Sequence, residues 1–470
     1  MKDKKSLIGI LCIVGFLVIA LGIFLIVNKK FSKNSSSGSS ANAESRISDI
    51  DWGSYDSNEI TLTKSIKITE AGTYTLTGTI EDGLVEIDTD GNVKLILNGV
   101  SITNSSGPAI YVANADTVEI ETVSGTTNTL TDGKTYSGYE DGVVGTIYSK
   151  DDLILSGDGT LKVVSNNEDA IVSKDDIKIN SGTYIIDSAD DGIRGKDSVE
   201  IIGGTFTINA NGDGIKSTND TDTDKGFILI SGGNFTINAN NDGIQAETEL
   251  VISDGIFNIK TSASNDDSSK GLKAEKLIEI TGGTFNIDTT DDGVHSNGNI
   301  TINKGTFTIE SDDDAVHADG LIEINGGSMT INAHEGIEAT YVKINDGTIN
   351  INASDDGINA GNKSNDYDVT IEINGGDITI KMGQGDTDAV DSNGNIYING
   401  GTLNITANSP FDYDGKAEYN GGTIIVNGEK TTTITNQFAG GMQGGMMPNE
   451  ANMQDGNPQN AQGQRGGNRR

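Results

Sequence analysis

Residues 191–208 read Asp-Gly-Ile-Arg-Gly-Lys-Asp-Ser-Val-Glu-Ile-Ile-Gly-Gly-Thr-Phe-Thr-Ile, and residues 292–309 read Asp-Gly-Val-His-Ser-Asn-Gly-Asn-Ile-Thr-Ile-Asn-Lys-Gly-Thr-Phe-Thr-Ile. Each stretch contains an acid-Gly-apolar step, then apolar-x-apolar, then Gly-x-aromatic-x-Ile. The unit repeats every 21 or 22 residues, and steps of 28 to 32 residues contain polar inserts. Its acidic residue recurs at Asp141, Asp169, Asp191, Asp213, Asp242, Asp292, Asp314, Glu335, Asp356 and Asp388, with Lys270 in the slot between Asp242 and Asp292.

Each unit holds three short segments in which apolar and polar residues alternate, and Gly, Asp or Asn separates them. Alternation with a period of two indicates strands with one buried face. Three strands in about 22 residues predict an all-β, right-handed parallel β-helix, whereas helical solenoids, the nine-residue calcium β-roll and the hexapeptide left-handed helix do not fit the period. About fifteen coils at about 4.8 Å each would form a rod on the order of 70 Å long.

The apolar positions of successive units should stack as columns inside the rod. The predicted aromatic column is Tyr184, Phe206, Phe235, Phe257, Phe285, Phe307, Met329, Ile349, Ile378 and Leu403. We interpret it as core rather than as a platform for sugars. Residues 47–140 are less regular but still strand-like, and we expect them to form the first coils.

Composition restricts the possible partners. The chain has 470 residues, 5% aromatic and 34% hydrophobic, which suits a thin core along one axis better than several globular cores. Its formal net charge of −37 would repel phosphates, so we predict no nucleic-acid partner. A surface this acidic favours solubility and bound cations.

The first residues predict a membrane anchor. Residues 7–27 are an uncharged apolar run, long enough to span a bilayer as a helix. We therefore expect an anchor at 1–28, a Ser-rich linker at 29–46, the β-helix at 47–436 and a disordered tail at 437–470. The rod would lie outside the cell on a single-pass membrane protein. A cleaved signal peptide, with Ala41-Asn42-Ala43 as its cleavage site, is the alternative.

The acidic residues of the repeat predict calcium. Stacked coils would bring Asp191 near Asp213, and Asp292 near Asp314. Two unit charges about 4.8 Å apart repel by roughly 3.5 kcal/mol at an effective dielectric of about 20, and a hard cation would relieve this repulsion. The predicted ligands are Asp191, Asp213, Asp242, Asp292 and Asp314. The alternative is that these are solvated Asp residues of turns, where Asp before Gly is common.

A polar insert gives a second calcium candidate. Residues 219–226 read Asn-Asp-Thr-Asp-Thr-Asp-Lys-Gly, and Asp220, Asp222 and Asp224 alternate as ligands do in calcium loops. The segment is not an EF-hand, because Gly226 comes one place late and Ser231 replaces the last Glu.

A second outward column is basic in the middle of the rod. It reads Arg194, Lys216, Gln245, Lys273, His295 and His317, and continues as Glu338, Asn359 and Asp391. We predict that Arg194, Lys216, Lys273, His295 and His317 bind the carboxylates of an extended glycan with uronate residues, with calcium as a possible bridge. The alternative is that these side chains pair with the neighbouring Asp column.

Catalysis is less well supported by the sequence. A lyase needs a base near calcium, and Lys216, Lys273 and Arg194 are the nominal candidates. Paired carboxylates are too frequent here to identify a hydrolase. The one cysteine, Cys12, lies in the apolar run, and no Ser-His-Asp or Cys-His nucleophile is indicated.

Three stretches resemble the β-helical carbohydrate-binding-domain proteins of Gram-positive bacteria. They are Asn98-Gly-Val-Ser-Ile-Thr-Asn-Ser-Ser-Gly-Pro-Ala-Ile-Tyr-Val112, Tyr148-Ser-Lys-Asp-Asp-Leu153, and the segment from Asp213-Gly-Ile-Lys-Ser-Thr-Asn-Asp through Asp242-Gly-Ile-Gln-Ala-Glu-Thr. The resemblance covers about residues 48–428. It implies a β-helix similar to pectate lyases that binds calcium and cellulose-like or polygalacturonate-like chains without established catalysis.

These observations lead to one expectation and two alternatives. We expect a monomeric, calcium-stabilised surface protein that binds an acidic or β-linked polysaccharide of plant cell walls or bacterial envelopes and does not cut it. The first alternative is a pectate-type lyase. The second is a structural adhesin or wall spacer.

Overall fold

The computed structural model describes residues 43–262, 268–383 and 387–436. This part of the chain is all-β apart from one short 3-10 helix at Trp52–Ser54. Its strands join in one sheet, and all the pairings between coils are parallel. Each strand pairs with the strand about three places on, so the chain winds as a three-faced parallel β-helix. The expected β-helix with three strands per coil is confirmed.

The first face has fifteen strands in the described residues. These strands are β2 (Ile66–Ile68), β4 (Val85–Asp88), β6 (Ile110–Asn114), β9 (Gly145–Ser149), β12 (Asp169–Ser173), β15 (Ile193–Gly195), β18 (Ile215–Ser217), β21 (Ile244–Ala246), β24 (Leu272–Ala274), β27 (Val294–Ser296), β30 (Asp314–Ile324), β32 (Glu335–Ile344), β34 (Ile358–Ala360), β37 (Val390–Ser392) and β40 (Asp412–Tyr413). Strands β30 and β32 are long and continue onto the second face.

The second face follows the first in each coil. It contains β1 (Ser57–Leu62), β3 (Gly72–Ile80), β5 (Val93–Thr103), β7 (Thr117–Thr122), β10 (Asp152–Gly157), β13 (Asp176–Ile179), β16 (Ser198–Ile201), β19 (Phe227–Ile230), β22 (Glu249–Ile252), β25 (Leu277–Ile280), β28 (Asn299–Ile302), β35 (Thr370–Ile373), β38 (Asn395–Ile398) and β41 (Ala417–Tyr419). The far ends of β3 and β5 pass onto the third face.

The third face completes each coil. It contains β8 (Thr127–Thr131), β11 (Thr160–Val164), β14 (Thr183–Ser188), β17 (Thr205–Ala210), β20 (Asn234–Ala239), β23 (Ile256–Thr261), β26 (Thr284–Thr289), β29 (Thr306–Ser311), β31 (Ser328–Ala333), β33 (Thr348–Ala353), β36 (Asp377–Met382), β39 (Thr402–Thr406) and β42 (Thr423–Val426). Alternating burial along these strands points one set of side chains inward and the next outward.

The core is a set of stacked columns, as the repeat predicts. From Phe206 to Phe307 the aromatic rings lie nearly parallel with centroids 4.6–4.7 Å apart, and Tyr184 stacks 5.0 Å from Phe206. These rings are buried, so their interpretation as core is confirmed. The column then continues with Met329 and aliphatic residues, which are also buried.

Both ends of the rod have features that the repeat did not show. Residues 43–52 run across the outside of the second face, where Ala43, Ser45 and Arg46 bond to Glu249, Glu200 and Asp176. The described end of the predicted linker, residues 43–46, therefore contacts the rod. At the other end, β42 turns back through Asn427 and Gly428, both at positive φ, into the antiparallel β43 (Glu429–Thr431).

Some predicted segments lie outside the described residues. The anchor at 1–28, most of the linker and the tail at 437–470 are among them. Within residues 43–262, 268–383 and 387–436, no helix has the length and apolar character needed to cross a bilayer. Residues 47–140 do supply the first coils, through β1 to β8.

Candidate functional site

One outward column of the first face joins residues of nearly every coil. We call it the flank column, and strand register defines it directly. It consists of Tyr111, Tyr148, Val172, Arg194, Lys216, Gln245, Lys273, His295, His317, Glu338, Asn359 and Asp391. The predicted glycan ligands therefore lie on one line, as expected. The column changes from aromatic to basic and then to acidic or neutral along the rod.

The acidic residues of the repeat form a second column beside it. We call Asp169, Asp191, Asp213, Asp242, Lys270, Asp292, Asp314, Glu335, Asp356 and Asp388 the acid column. Asp213 is only 2% exposed, and Asp191, Asp242, Asp292 and Asp314 are also buried. Their interpretation as solvated turn residues is therefore wrong, because each lies in the wall between coils.

A repeated hydrogen bond explains why buried aspartates are tolerated. Asp191 Oδ1 accepts from the backbone N–H of Asp213, and Asp213 Oδ1 accepts from that of Asp242, both at 2.8 Å. Asp242 Oδ1 accepts from the N–H of Lys270, and Asp292 Oδ1 from that of Asp314. One oxygen of each carboxylate thus accepts a hydrogen bond from a buried backbone N–H of the next coil. This bond offsets the desolvation of the carboxylate and of the N–H group.

The glycine that follows most acids of the column has a steric reason. A Cβ on Gly192 would lie 2.5 Å from the carbonyl oxygen of Gly214 and 2.7 Å from the Ile208 side chain. Gly214 meets Gly243 and Ile237 in the same way. These coils therefore favour glycine, whereas buried alanines follow Asp169, Asp314 and Asp388.

The basic side chains of the flank column pair with the acid column. Arg194 forms an ion pair with Asp169, and Lys216 Nζ lies 2.5 Å from Asp213 Oδ2. Lys273 Nζ lies 3.5 Å from Asp242 Oδ2. The pairing alternative is confirmed for all three. Binding of a glycan by these residues stays a prediction, and it would compete with or bridge these pairs.

Burial and ion pairing shift the pKa values of the paired groups in opposite directions in the basic coils. Burial raises the pKa of Asp169 to about 7, and the neighbouring Arg194 charge only partly opposes it. Burial alone would lower the pKa of Lys216, but the carboxylates of Asp213 and Asp191 outweigh it, so the net shift is upward. Lys216 is therefore held as a cation.

The two histidines of the column have a different environment. His295 Nδ1 is 2.7 Å from Asp292 Oδ2, and His317 Nδ1 is 2.7 Å from Asp314 Oδ2. Although burial opposes it, contact with His295, Lys270 and His317 lowers the pKa of Asp292 to about 2. Asp292 is thus an ionised carboxylate beside two imidazoles.

The coils after His317 carry acids that have no basic residue beside them in the flank column. Burial, with the nearby charges of Glu338, Asp314 and Asp356, raises the pKa of Glu335 to about 8, although a hydrogen bond from Asn359 opposes the shift. Burial likewise raises the pKa of Asp356 to about 7 and that of Asp391 to about 6. Burial also raises the pKa of Asp213 and of Asp314 to about 6 in the middle coils, but there the flank column supplies a basic partner to each acid.

Comparison with known proteins identifies a family for this chain. A family model described as "Carbohydrate-binding domain-containing protein" matches residues 63–315, 299–336 and 313–447. The chain belongs to this family. A carbohydrate-binding domain-containing protein of Acetivibrio thermocellus is 38% identical over 129 residues, which are 26% of this chain and 45% of that relative. The match thus spans less than half of the relative's length.

A solved structure is also similar to part of this carbohydrate-binding domain. It is described as the polysaccharide lyase-like protein from C. thermocellum, in a gadolinium derivative. The two chains are 33% identical, with 46% of this chain and 87% of the other covered, at a TM-score of 0.42.

The carbohydrate-binding domain holds the calcium-loop candidate on its surface. Asp220, Asp222 and Asp224 are exposed. Asn219 Oδ1 accepts from the N–H of Thr221 and Asp222, and Asp222 Oδ1 accepts from that of Asp224. The insert is thus a turn closed by its own side chains, and its three aspartates point oxygens toward solvent and backbone.

Two oxygen clusters lie near the start of the acid column, and only the second, at Asp152, Asp175 and Asp176, was missed by sequence reasoning. Asp169, Asp190 and Asp191 bring carboxylate oxygens within 4.8 Å of one another, and so do Asp152, Asp175 and Asp176. Burial, with nearby acids, raises the pKa of Asp175 to about 7 and that of Asp152 to about 6. The signal was the doubled acids Asp151-Asp152 and Asp175-Asp176 one coil apart.

An aromatic cluster at the start of the flank column was also missed. Tyr111 stacks on Tyr148 with ring centroids 6.0 Å apart, and Tyr139 meets Tyr111 edge-on at 5.3 Å. Tyr136 and Tyr139 belong to the insert between β8 and β9, which folds back over these strands. The chain therefore has a second, smaller aromatic cluster apart from the ring column, next to the basic coils, in which Tyr148 is buried.

Proposed function

We propose that this protein binds polysaccharide along the flank column, without cutting it. The observation that carries the proposal is the register of this column in a chain of the carbohydrate-binding family. From Arg194 to His317 it carries basic side chains, with Gln245 among them, in six successive coils, whereas Tyr148 and Val172 before them are buried. At about 4.8 Å per coil the six coils make a strip roughly 25 Å long, which suits a segment of an extended polymer.

The chemistry of the strip favours a chain with carboxylates or equatorial hydroxyls. The tyrosine cluster offers ring faces to sugars, and Arg194, Lys216 and Lys273 offer donors to acidic groups. Each cation already has a carboxylate partner. An acidic glycan such as polygalacturonate would therefore bind best with a cation between its carboxylates and the acid column, whereas a β-linked neutral chain such as cellulose would rely on the rings.

Calcium is the cation that we propose for the all-oxygen clusters. The groups Asp169–Asp190–Asp191 and Asp152–Asp175–Asp176 offer only carboxylate oxygens, which calcium prefers in irregular geometry. Asp213, Asp242 and the insert at Asp220, Asp222 and Asp224 remain candidate ligands. A bound ion would return the raised pKa values of Asp152 and Asp175 toward the acid range, because it favours their ionised form.

The cellular placement completes the proposal. The predicted anchor at 1–28 would hold a right-handed, monomeric rod on the outer side of the cell membrane. Residues 43–52 bond to the second face, so this segment is fixed to the rod and does not cover the first face. This placement is compatible with an anchor that precedes it.

A lyase is less favoured by the geometry. A base must be neutral to remove a proton, and the pKa of Lys216 is raised by Asp213 and Asp191. We therefore assign Lys216 to binding.

Binding measurements test the proposal. The full chain should bind polygalacturonate or cellulose in pull-down and calorimetric assays, and a calcium chelator should weaken the acidic-glycan binding. The double variant Arg194→Ala/Lys216→Ala should lose at least tenfold in affinity for polygalacturonate. Tyr111→Ala should weaken cellulose binding more than polygalacturonate binding.

Lys260→Ala is the matched control, because Lys260 also pairs with an aspartate, Asp288, but lies on the third face. It should bind as the unchanged protein does. Equal losses in Lys260→Ala and in the flank-column variants would contradict the location, and no binding to any polymer would reject the function. Unsaturated product that absorbs ultraviolet light would indicate a lyase instead.

A further inference from the structure

Two imidazoles stack where the flank column changes from basic to acidic. The rings of His295 and His317 lie in adjacent coils with centroids 4.9 Å apart. The chain has three histidines, and these two are both in this column. Around them stand Asp292, Asp314 and Glu338, so nitrogen and oxygen ligands converge on one partly buried spot.

The ligand atoms are close enough for one ion. Asp292 Oδ2 lies 2.7 Å from His295 Nδ1 and 4.0 Å from His317 Nδ1. His317 Nδ1 also lies 2.7 Å from Asp314 Oδ2 and 3.4 Å from Glu338 Oε2. Tetrahedral zinc with bonds near 2.1 Å separates its ligands by about 3.4 Å. Asp292, His295 and His317 bring ligand atoms within 4.8 Å of one another, and so do Asp314, His317 and Glu338, so the two groups share His317.

The far side of the His295 ring already has the hydrogen-bond partner that a metal-bound histidine needs, whereas His317 has a carboxylate at a longer distance. His295 Nε2 is 2.7 Å from Asn297 Oδ1, and Asn297 in turn donates its amide hydrogen to Glu275. His317 Nε2 is 3.7 Å from Asp319 Oδ1. A ligating imidazole typically donates its other N–H to such an oxygen, which fixes the ring orientation.

Three of the four ring nitrogens thus lie 2.7 Å from an oxygen, although a neutral imidazole carries only one N–H. The arrangement fits two imidazolium rings, or two neutral rings whose Nδ1 atoms and carboxylates share a divalent ion. The ion and the two protons carry the same charge, so replacing one by the other leaves the charge of the cluster unchanged. The charge of Lys270, 3.3 Å from Asp292 Oδ2, is present in both states and repels the ion as it repels the protons.

The carboxylates are also oriented for this role. Asp292 Oδ1 is fixed by the N–H of Asp314, which leaves Oδ2 for the ion. Lys270 Nζ approaches Asp292 Oδ2 at 3.3 Å but bonds more closely to Asp291, at 2.6 Å. Lys363 pairs with Glu338. Asp292 and Asp314 can therefore serve the ion while both lysines keep other partners.

We infer that His295, His317, Asp292 and Asp314 form a site for a borderline divalent transition metal, with zinc the best fit. Calcium is a poor occupant here because it prefers six to eight oxygens, whereas imidazole suits zinc, copper and nickel. The site would divide the flank column into its basic and acidic halves. It is independent of glycan binding, which can fail without affecting it.

Zinc titration of the full chain tests the site, in buffer with excess calcium to occupy oxygen sites. We expect one equivalent of zinc to bind with micromolar or tighter Kd. His295→Gln and His317→Gln should each weaken it at least tenfold. His334→Gln is the control for the competing cluster, because the exposed His334 lies with Glu335 and Asp355 outside this ligand set. It should leave the affinity unchanged.

A second measurement avoids mutation. In protein labelled with nitrogen-15 at histidine, zinc should shift the Nδ1 signals of two of the three histidines, and Co²⁺ in its place should give the visible absorption of nitrogen-ligated ions. No zinc binding, retained affinity in both His295→Gln and His317→Gln, loss in His334→Gln, or unshifted Nδ1 signals would each overturn the inference.

Discussion

The coils from Asp169 to His317 and the coils from Glu335 to Asp412 share one fold but differ in the chemistry of the same two columns. In the first region the acid column faces Arg194, Lys216 and Lys273 and then two histidines. In the second it faces Glu338, Asn359 and Asp391. The core changes as well, from stacked rings to aliphatic side chains.

The difference shows how the residue three places after the acid shifts the acid's pKa. Asp292, with His295 beside it and Lys270 nearby, has a pKa of about 2, whereas Glu335, with Glu338 in that place, has a pKa of about 8. Burial also acts in both regions, and it raises the pKa of Asp213 and of Asp314 to about 6 although each has a basic partner. A solenoid therefore lets one backbone give the same column basic neighbours in one region and acidic or neutral neighbours in the next.

The largest expected effect concerns the ring stack. Phe257→Ala should lower the free energy of unfolding by about 3–5 kcal/mol, because it leaves a cavity and also removes two ring contacts. Ile378→Ala, at the matching position of the second region, should lower it less. Denaturant unfolding measures both, with Ile256→Ala, which is 51% exposed, as a control expected to change little. Equal losses of stability in Phe257→Ala and Ile378→Ala would show that the stacked rings stabilise the rod no more than the aliphatic column does.

The next effect comes from unpairing an acid in the first region. Arg194→Met leaves Asp169 buried without its cation, which should cost about 3 kcal/mol at pH 8. The cost should shrink at pH 5, because the pKa of Asp169 is already raised by burial to about 7 and the group can accept a proton. Urea unfolding at the two pH values measures this, and Arg194→Lys should restore most of the loss. A loss of the same size at both pH values would show that packing, not charge, is responsible.

A smaller effect of opposite sign is expected in the second region. The pKa of Glu335 in the folded state is about 8, above its ordinary 4.5, so the folded chain holds a proton that the unfolded chain has released. The stability from this proton is present below pH 4.5 and is lost as the pH rises to 8. Glu335→Gln should remove this dependence and stabilise the protein at pH 8.5 by on the order of 1 kcal/mol after solvent screening.

Thermal unfolding across pH 4–9 checks this, with Glu310→Gln on the exposed third face as the control. A steeper loss of stability at high pH in Glu335→Gln would contradict the assignment of the proton.

The smallest effect is expected when a lysine of the first region's type is placed in the second region. Asn359→Lys places a cation where the first region has Lys216, between Glu335 and Glu338, with which Asn359 now bonds. It should lower the pKa of Glu335 and of Asp356 and stabilise the protein at pH 8 by about 0.5–1 kcal/mol. Carbon-13 NMR titration of the carboxyls would measure the shift. An unchanged pKa of Glu335 would mean that burial alone sets it.

Much of the fold was predictable because the repeat imposes it. The inward columns, the three strands per coil, the first coils at 47–140 and the line of the flank column follow from period-two alternation within a 22-residue unit. The candidate site was predictable only in part. Arg194, Lys216 and Lys273 were expected on one flank, but the paired state was only an alternative, because sequence spacing gives alignment and not side-chain direction.

Other features depend on contacts between distant residues. The tyrosine cluster needs the insert after β8 to fold back, and the strap at 43–52 needs four acids from different coils to face one way. Local periodicity contains no information on either.

The sequence by itself therefore determined the coil, its columns and the order of residues along them, since hydrophobic alternation in a repeat leaves one way to bury the apolar face. Only the tertiary structure decided that the aspartates are buried, that their oxygens bond to the next coil's amides, and that two histidines meet three carboxylates. These outcomes depend on distances of a few tenths of an ångström between coils, set by glycines that allow close approach, and no pattern along one chain encodes such distances directly.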